Sequence, residues 1–141
     1  MSGLVVDVAA RTISGPVVPY GPVVTHQRRR WRFAPGSVRY GSPGDVALNV
    51  DHVHSRRVGR AQTLASVAGV LTAVFLVYRG DPGDRVLAEA DTRVLAGLSP
   101  GTDLIRVGPD PDVPGVQLVR RAWLREVSLT AAPAFDVAGA R

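Results

Sequence analysis

The stretch Val70-Leu71-Thr72-Ala73-Val74-Phe75-Leu76-Val77, followed three residues later by Asp81-Pro82-Gly83-Asp84-Arg85-Val86-Leu87, decides the fold class. Its first half is a short apolar run bounded by turn residues, which reads as a strand. Val74–Val77 is apolar on both faces, so that strand is expected at the centre of a sheet. The second half opens like a helix. Asp81 can cap it and Pro82 fits the first helical position. Val86, Leu87, Ala90, Val94 and Leu95 then recur at helical spacing, and Gly97 can end the helix. Asp84, Glu89 and Asp91 fall on its outer, solvated face.

Working outward, the rest of the chain reads as short strands joined by turns. Leu4–Val8 is a first strand. Ile13–Val24 carries Pro16, Pro19 and Pro22, which argues for an edge strand, a bulged strand or loop. Trp31 and Phe33 share one strand face, opposite Arg32. Val46–Val50 leads into Asp51-His52-Val53-His54. Val58–Ala61 is a further strand, and Ala68-Gly69 supplies a turn before Val70. Leu104–Val107 is a short strand, 108–115 is a loop of alternating Pro and Asp, and Val116–Leu129 is one or two strands. Residues 131–141 are expected to be loop or a frayed tail. The pattern predicts one domain over residues 1–141, mainly β with a few helices (α+β).

Composition narrows the chemistry. The 141 residues include 17 basic and 12 acidic side chains, and every basic residue is arginine. Without cysteine there is no thiol nucleophile, disulfide or thiolate metal site. Without lysine there is no Schiff base and no Ser–Lys pair. Serine, threonine and carboxylates remain as nucleophiles. The net charge of +5 permits an anionic partner, but aromatic platforms for bases are few, and nucleic acid is not the expected partner. The longest apolar stretch, Leu64–Val77, falls short of the ~20 residues of a spanning helix, so no membrane association is expected.

Three constellations carry chemistry. His52 and His54, read on an extended strand, project to one face with Asp51 on the other. Arg56 and Arg57 beside them oppose a cation, so no metal is expected. Ser99 precedes Pro100, which favours an extended Ser99, and Gly101 allows close approach; the same three residues also make an ordinary turn. Glu126 lies in a strand-like alternation and shares a face with Ser128. A carboxylate there can face solvent, or can accept the second ring N–H of a catalytic histidine. These readings permit a Ser–His–Glu site without compelling it.

The order of the blocks adds a resemblance. Arg11-Thr12-Ile13-Ser14-Gly15 with Pro19-Tyr20-Gly21, then Arg32-Phe33-Ala34-Pro35-Gly36-Ser37, then Val50-Asp51-His52 with Ser55-Arg56 and Val58-Gly59-Arg60, then Gly97-Leu98-Ser99-Pro100-Gly101, then Leu124-Arg125-Glu126-Val127-Ser128-Leu129 with Pro133-Ala134, follow one another over nearly the whole chain. In that order they resemble the prohead serine proteases of tailed phages. The resemblance implies a fold like that of herpesvirus capsid-maturation proteases, a closed or partly open antiparallel β-barrel with packed helices.

It also implies roles. His52 matches the general base, Ser99 the nucleophile and Glu126 the late acidic position that orients the histidine; His54 is a bystander. The implied substrates are the major capsid protein precursor or scaffolding protein and the protease itself, cut in the host cytoplasm inside the assembling prohead. A second copy of the chain is a further expected partner, and no cofactor is implied. Two positions depart from the family pattern. Pro100 follows the nucleophile and has no N–H, so an oxyanion donor must come from Gly101, Arg106 or another backbone group. Thr102 stands where an aromatic is usual. A protease-fold shell component with weak or no activity is the alternative reading.

Overall fold

A computed structural model describes residues 3–135. The strands are β1 (Val5–Asp7), β2 (Thr12–Pro19), β3 (Val23–His26), β4 (Arg29–Phe33), β5 (Val38–Arg39), β6 (Ala47–Val50), β7 (Val53–Val67), β8 (Val70–Val77), β9 (Gly97–Pro109) and β10 (Val116–Thr130). Among the described residues there is one α-helix, α1, spanning Asp81–Asp91. The described residues are therefore mainly β, as the turn-rich sequence predicts, with one α-helix in place of the expected few.

β8 sits between β2 and β7, antiparallel to both, as its two-faced apolar run requires. Ala73, Phe75 and Val77 are fully buried, while Val74 and Leu76 on the other face are half-buried. Ala68-Gly69 makes the expected two-residue turn between β7 and β8, with φ values of 51° and 78°. Both central residues are left-handed, as in the tight turns that match strand twist. The prolines of β2 are accommodated by a bulge between Pro16 and Val18. Beyond Ser14, β2 pairs only with β8, so Pro16 and Pro19 interrupt no second ladder.

β10 organises the other half. One of its edges pairs with β9 along almost its whole length, antiparallel. Its other edge takes β4, β5 and β6 in succession, and all of these pairings are parallel. The sheet is thus mixed, and its path runs β1-β2-β8-β7-β6-β10-β4-β3. Its end strands β1 and β3 do not pair, so the sheet is not closed into a barrel, and its parallel pairings depart from the closed or partly open antiparallel barrel that the resemblance implies. The reason lies in β10: a 15-residue strand is long enough to pair with three short strands that all run its own way.

The core is continuous, with Ile13, Leu48, Phe75, Val119, Val127 and Leu129 among its fully buried members. Helix α1 adds Val86, Leu87 and Ala90. Its boundaries differ from the sequence expectation. The N-cap is Gly80, and Asp81 is already helical. The helix stops at Asp91, with Arg93 left-handed at φ 66°, well short of Gly97. The cause is tertiary: Gly97 is needed in the sheet opposite Thr130, and β9 starts there. Leu95 remains buried from the connecting loop, but Val94 is 58% exposed. Arg11 closes the other end of α1 by reaching the Asp84 carboxylate at 2.7 Å and the Tyr78 carbonyl at 2.7 Å.

Candidate active site

Three adjacent strands and one turn assemble the site. Cross-strand register places Ser99 of β9 opposite Ser128 of β10, and Ser128 beside Asn49 of β6. Two residues earlier on β10, Glu126 faces Gly101 of β9. Glu126 and Ser128 therefore share a sheet face, as period-two alternation requires. The fourth element is the turn between β6 and β7. Its two residues, Asp51 and His52, are both left-handed, with φ values of 50° and 58°.

His52 is thus a turn residue, and the strand alternation expected for Asp51–His54 does not apply to it. A left-handed non-glycine residue is uncommon and must be held in place. Two bonds hold this one. The Asp51 N–H donates to the Leu129 carbonyl at 3.0 Å, and the His52 N–H donates to Ser128 Oγ at 2.9 Å. The turn is pinned to β10, and the imidazole is carried over the face where Glu126 lies.

The side chains then form one line. His52 Nδ1 is 2.7 Å from Glu126 Oε2, and His52 Nε2 is 3.3 Å from Ser99 Oγ. An ionised carboxylate only accepts, so Nδ1 carries the proton and donates it to Glu126. Nε2 is left with a lone pair aimed at the Ser99 hydroxyl. Glu126 is itself fixed: Ser128 Oγ donates to Oε1 at 2.6 Å, and Asn49 Nδ2 donates to the same oxygen at 3.3 Å. Ser99 and Glu126 are 3% and 4% exposed, whereas the His52 side chain is 45% exposed. A buried hydroxyl and a buried carboxylate joined through a ring at the surface is the arrangement a proton-relaying base needs.

The line opens on a cleft of about 520 Å³. That is the size of a site for a ligand or a few peptide side chains. Trp31 and Phe33 form part of its apolar wall, with His54 and Arg125 at other positions around it. The segment after β10 also lines it, through Ala132, Ala134 and Phe135. The ring of Phe135 stands edge-on to Phe33 at 5.5 Å and to His26 at 6.1 Å between centroids. Ala131–Phe135 is loop, one of the two forms expected of it, and it lines the site; the remainder of that segment, 136–141, lies outside the described residues.

The other expected residues divide. Ser99 lies in a strand, not in a turn after a helix, and Pro100 is tolerated because β9 is paired only with β10. Gly101 is in the site, but what approaches it is a carboxylate. A Cβ there would land on Oε2 of Glu126 and lie 2.8 Å from its Cδ. Arg106 is not brought to the site: it is exposed, pairs in register with Arg121 and does not line the cleft. Arg125 takes the nearer place. A register irregularity between Leu124 and Glu126 leaves Arg125 as the extra residue of a bulge, and its guanidinium meets Asp103 at 2.9 Å.

Sequence reasoning missed Asn49, Arg125 and the N–H of Ala134, and noted Ser128 only for sharing a face with Glu126. Asn49 had a readable signal, a polar residue between Leu48 and Val50 in an apolar strand. Among the described residues no group of three or more His, Asp or Glu side chains is placed to hold a metal ion. No described helix is long and apolar enough to cross a membrane. No family model, curated protein or solved structure matches the chain, so function has to be argued from the geometry of this site.

Proposed function

We propose that this chain is a serine endopeptidase that matures the capsid of a tailed phage. The observation that carries the chemistry is the unbroken line Ser99 Oγ, His52 Nε2, His52 Nδ1, Glu126 Oε2, with separations of 3.3 Å and 2.7 Å at its two contacts. The ordered sequence blocks support the biological setting. They also support reading the unclosed mixed sheet as a partly open relative of the herpesvirus-protease barrel.

In the reaction, Ser99 Oγ attacks the scissile carbonyl carbon as its proton passes to His52 Nε2. Glu126 accepts the Nδ1–H throughout and stabilises the imidazolium. The tetrahedral intermediate collapses, the C–N bond breaks, and His52 gives its proton to the leaving amine. Water, deprotonated by His52, then attacks the acyl-enzyme and releases the acid and free Ser99. The substrates are the scaffolding portion of the capsid precursor and the protease itself.

Co-expression with a tailed-phage capsid precursor tests this reading. The precursor is trimmed by the wild type and left intact by Ser99→Ala; equal trimming by both would remove Ser99 from the mechanism. A shell component that kept the fold without catalysis is the second reading, and Pro100 favours it by withholding an N–H beside the nucleophile. A serine-reactive phosphonate separates the two, because stoichiometric labelling of Ser99 requires an activated hydroxyl.

A further inference from the structure

The position of the segment after β10 supplies what Pro100 withholds. An oxyanion forms one bond away from the carbon that Ser99 Oγ attacks, and it requires hydrogen-bond donors held in advance. Pro100 has no N–H. Gly101 faces the Glu126 carboxylate, whose charge opposes a second anion at that point. Arg106 is outside the cleft. Among the described residues, Ser99 Oγ has two hydrogen-bond partners: His52 Nε2 on one side, and the backbone N–H of Ala134 at 3.4 Å on the other.

Resting on the serine-hydrolase reading above, we infer that the backbone N–H of Ala134 is a donor to the oxyanion. The directions of the hydrogen bonds are consistent. Ser99 Oγ accepts from Ala134, which leaves its own hydrogen to be given to His52. Once Oγ has bonded to the substrate carbon it is a poor acceptor, and the N–H turns to the new negative oxygen beside it. The donor is held from both sides. Pro133 packs on Gly97, where an added Cβ would come within 2.8 Å of Pro133 Cγ, and Phe135 is wedged against Phe33 and His26. Fixing a donor before the charge develops is what gives it catalytic weight. The site is therefore incomplete without the chain that follows β10.

The test uses the full chain and a peptidyl diphenyl phosphonate. Ser99 Oγ bonds to phosphorus, phenoxide leaves, and the serine proton passes to His52. Ala134→Pro deletes the N–H and is expected to slow labelling of Ser99 by about 100–1000-fold, the usual effect of losing one such donor. Ala134→Gly keeps the N–H and is expected to label within a few-fold of wild type. Labelling of a folded Ala134→Pro variant at the wild-type rate overturns the inference. Should that variant fail to fold, the wild type decides. Its ¹⁵N-labelled Ala134 amide proton is expected to move downfield when the phosphonyl adduct forms, and an unchanged resonance overturns the inference. Wild-type protein that is not labelled at all removes the hydrolase reading as well, whereas labelling with an unmoved Ala134 amide removes only this inference.

Discussion

Gly101 and Glu126 face each other across β9 and β10 so closely that no side chain fits between them: a Cβ on Gly101 would land on the carboxylate oxygen that holds His52. Gly101→Ala should push Glu126 off Nδ1. A displacement of about 1 Å in such a group can cost about 100-fold in turnover. We expect kcat to fall by that order with little change in KM, measured on a peptide spanning the cut site. Unchanged kcat in a folded Gly101→Ala protein would mean that the carboxylate position does not matter.

On the proposed mechanism, Ser99, His52 and Glu126 should differ in their effects. Ser99→Ala and His52→Ala should each lower kcat by about a million-fold, because nucleophile and base act as one unit. Glu126→Gln should cost about ten thousand-fold, since the amide no longer enforces the Nδ1–H tautomer. Single-turnover hydrolysis by the three variants checks the order. A Glu126→Gln enzyme as fast as wild type would assign Glu126 to structure alone.

Ser128 ties the histidine turn to the acid. Its hydroxyl gives its hydrogen to Glu126 and accepts the backbone N–H of His52, and it is fully buried. Ser128→Ala leaves the His52 N–H and the buried Glu126 carboxylate each short of one partner. The expected loss is about 1–3 kcal/mol of stability. Denaturant unfolding measures it, and activity should fall more than the lost stability alone explains, because the turn that carries His52 loosens. A variant with wild-type stability would show that Ser128 is dispensable.

Acid sensitivity should come in part from a pair that does not line the cleft. The hydrogen bond from Arg32 Nε to Asp110 Oδ2, at 2.6 Å, holds the Asp110 carboxyl below its ordinary range, with help from the Asp112 and Val113 N–H groups. The folded-state pKa therefore lies below the unfolded value of about 3.9. The resulting stabilisation is complete above about pH 4 and is lost as the pH falls through the folded-state pKa. Asp110→Asn should lower Tm at pH 7, and the gap to wild type should be smaller at about pH 3. A gap equal at both pH values would place the effect elsewhere than in ionisation.

Much of this was readable along the chain. The strand at Val70–Val77 and the turn at Ala68-Gly69 follow from two-faced apolarity and turn chemistry. The helix start near Asp81 follows from Pro82 and the spacing of Val86, Leu87 and Ala90, but its end does not. Helical spacing continues to Leu95, and only the pairing of Gly97 with Thr130 ends the helix early. The site shows the same division. Ser99, His52 and Glu126 could be named as residues of the right chemistry in the right order. The strand reading of His52 failed because two left-handed residues reverse the chain there, and alternation carries no information through a turn.

Local sequence determined which segments extend, which one coils and which side chains can do acid–base work, because those properties depend on neighbours a few residues away. Only the tertiary structure decided that β10 would run parallel to three short strands, that Arg106 would lie outside the cleft while the bulged Arg125 lines it, and that Ala134 would reach Ser99. Those outcomes depend on register between segments distant in sequence, such as Arg30 of β4 and Val116 of β10. Register is set by the shared burial of whole strands rather than by any one stretch of sequence.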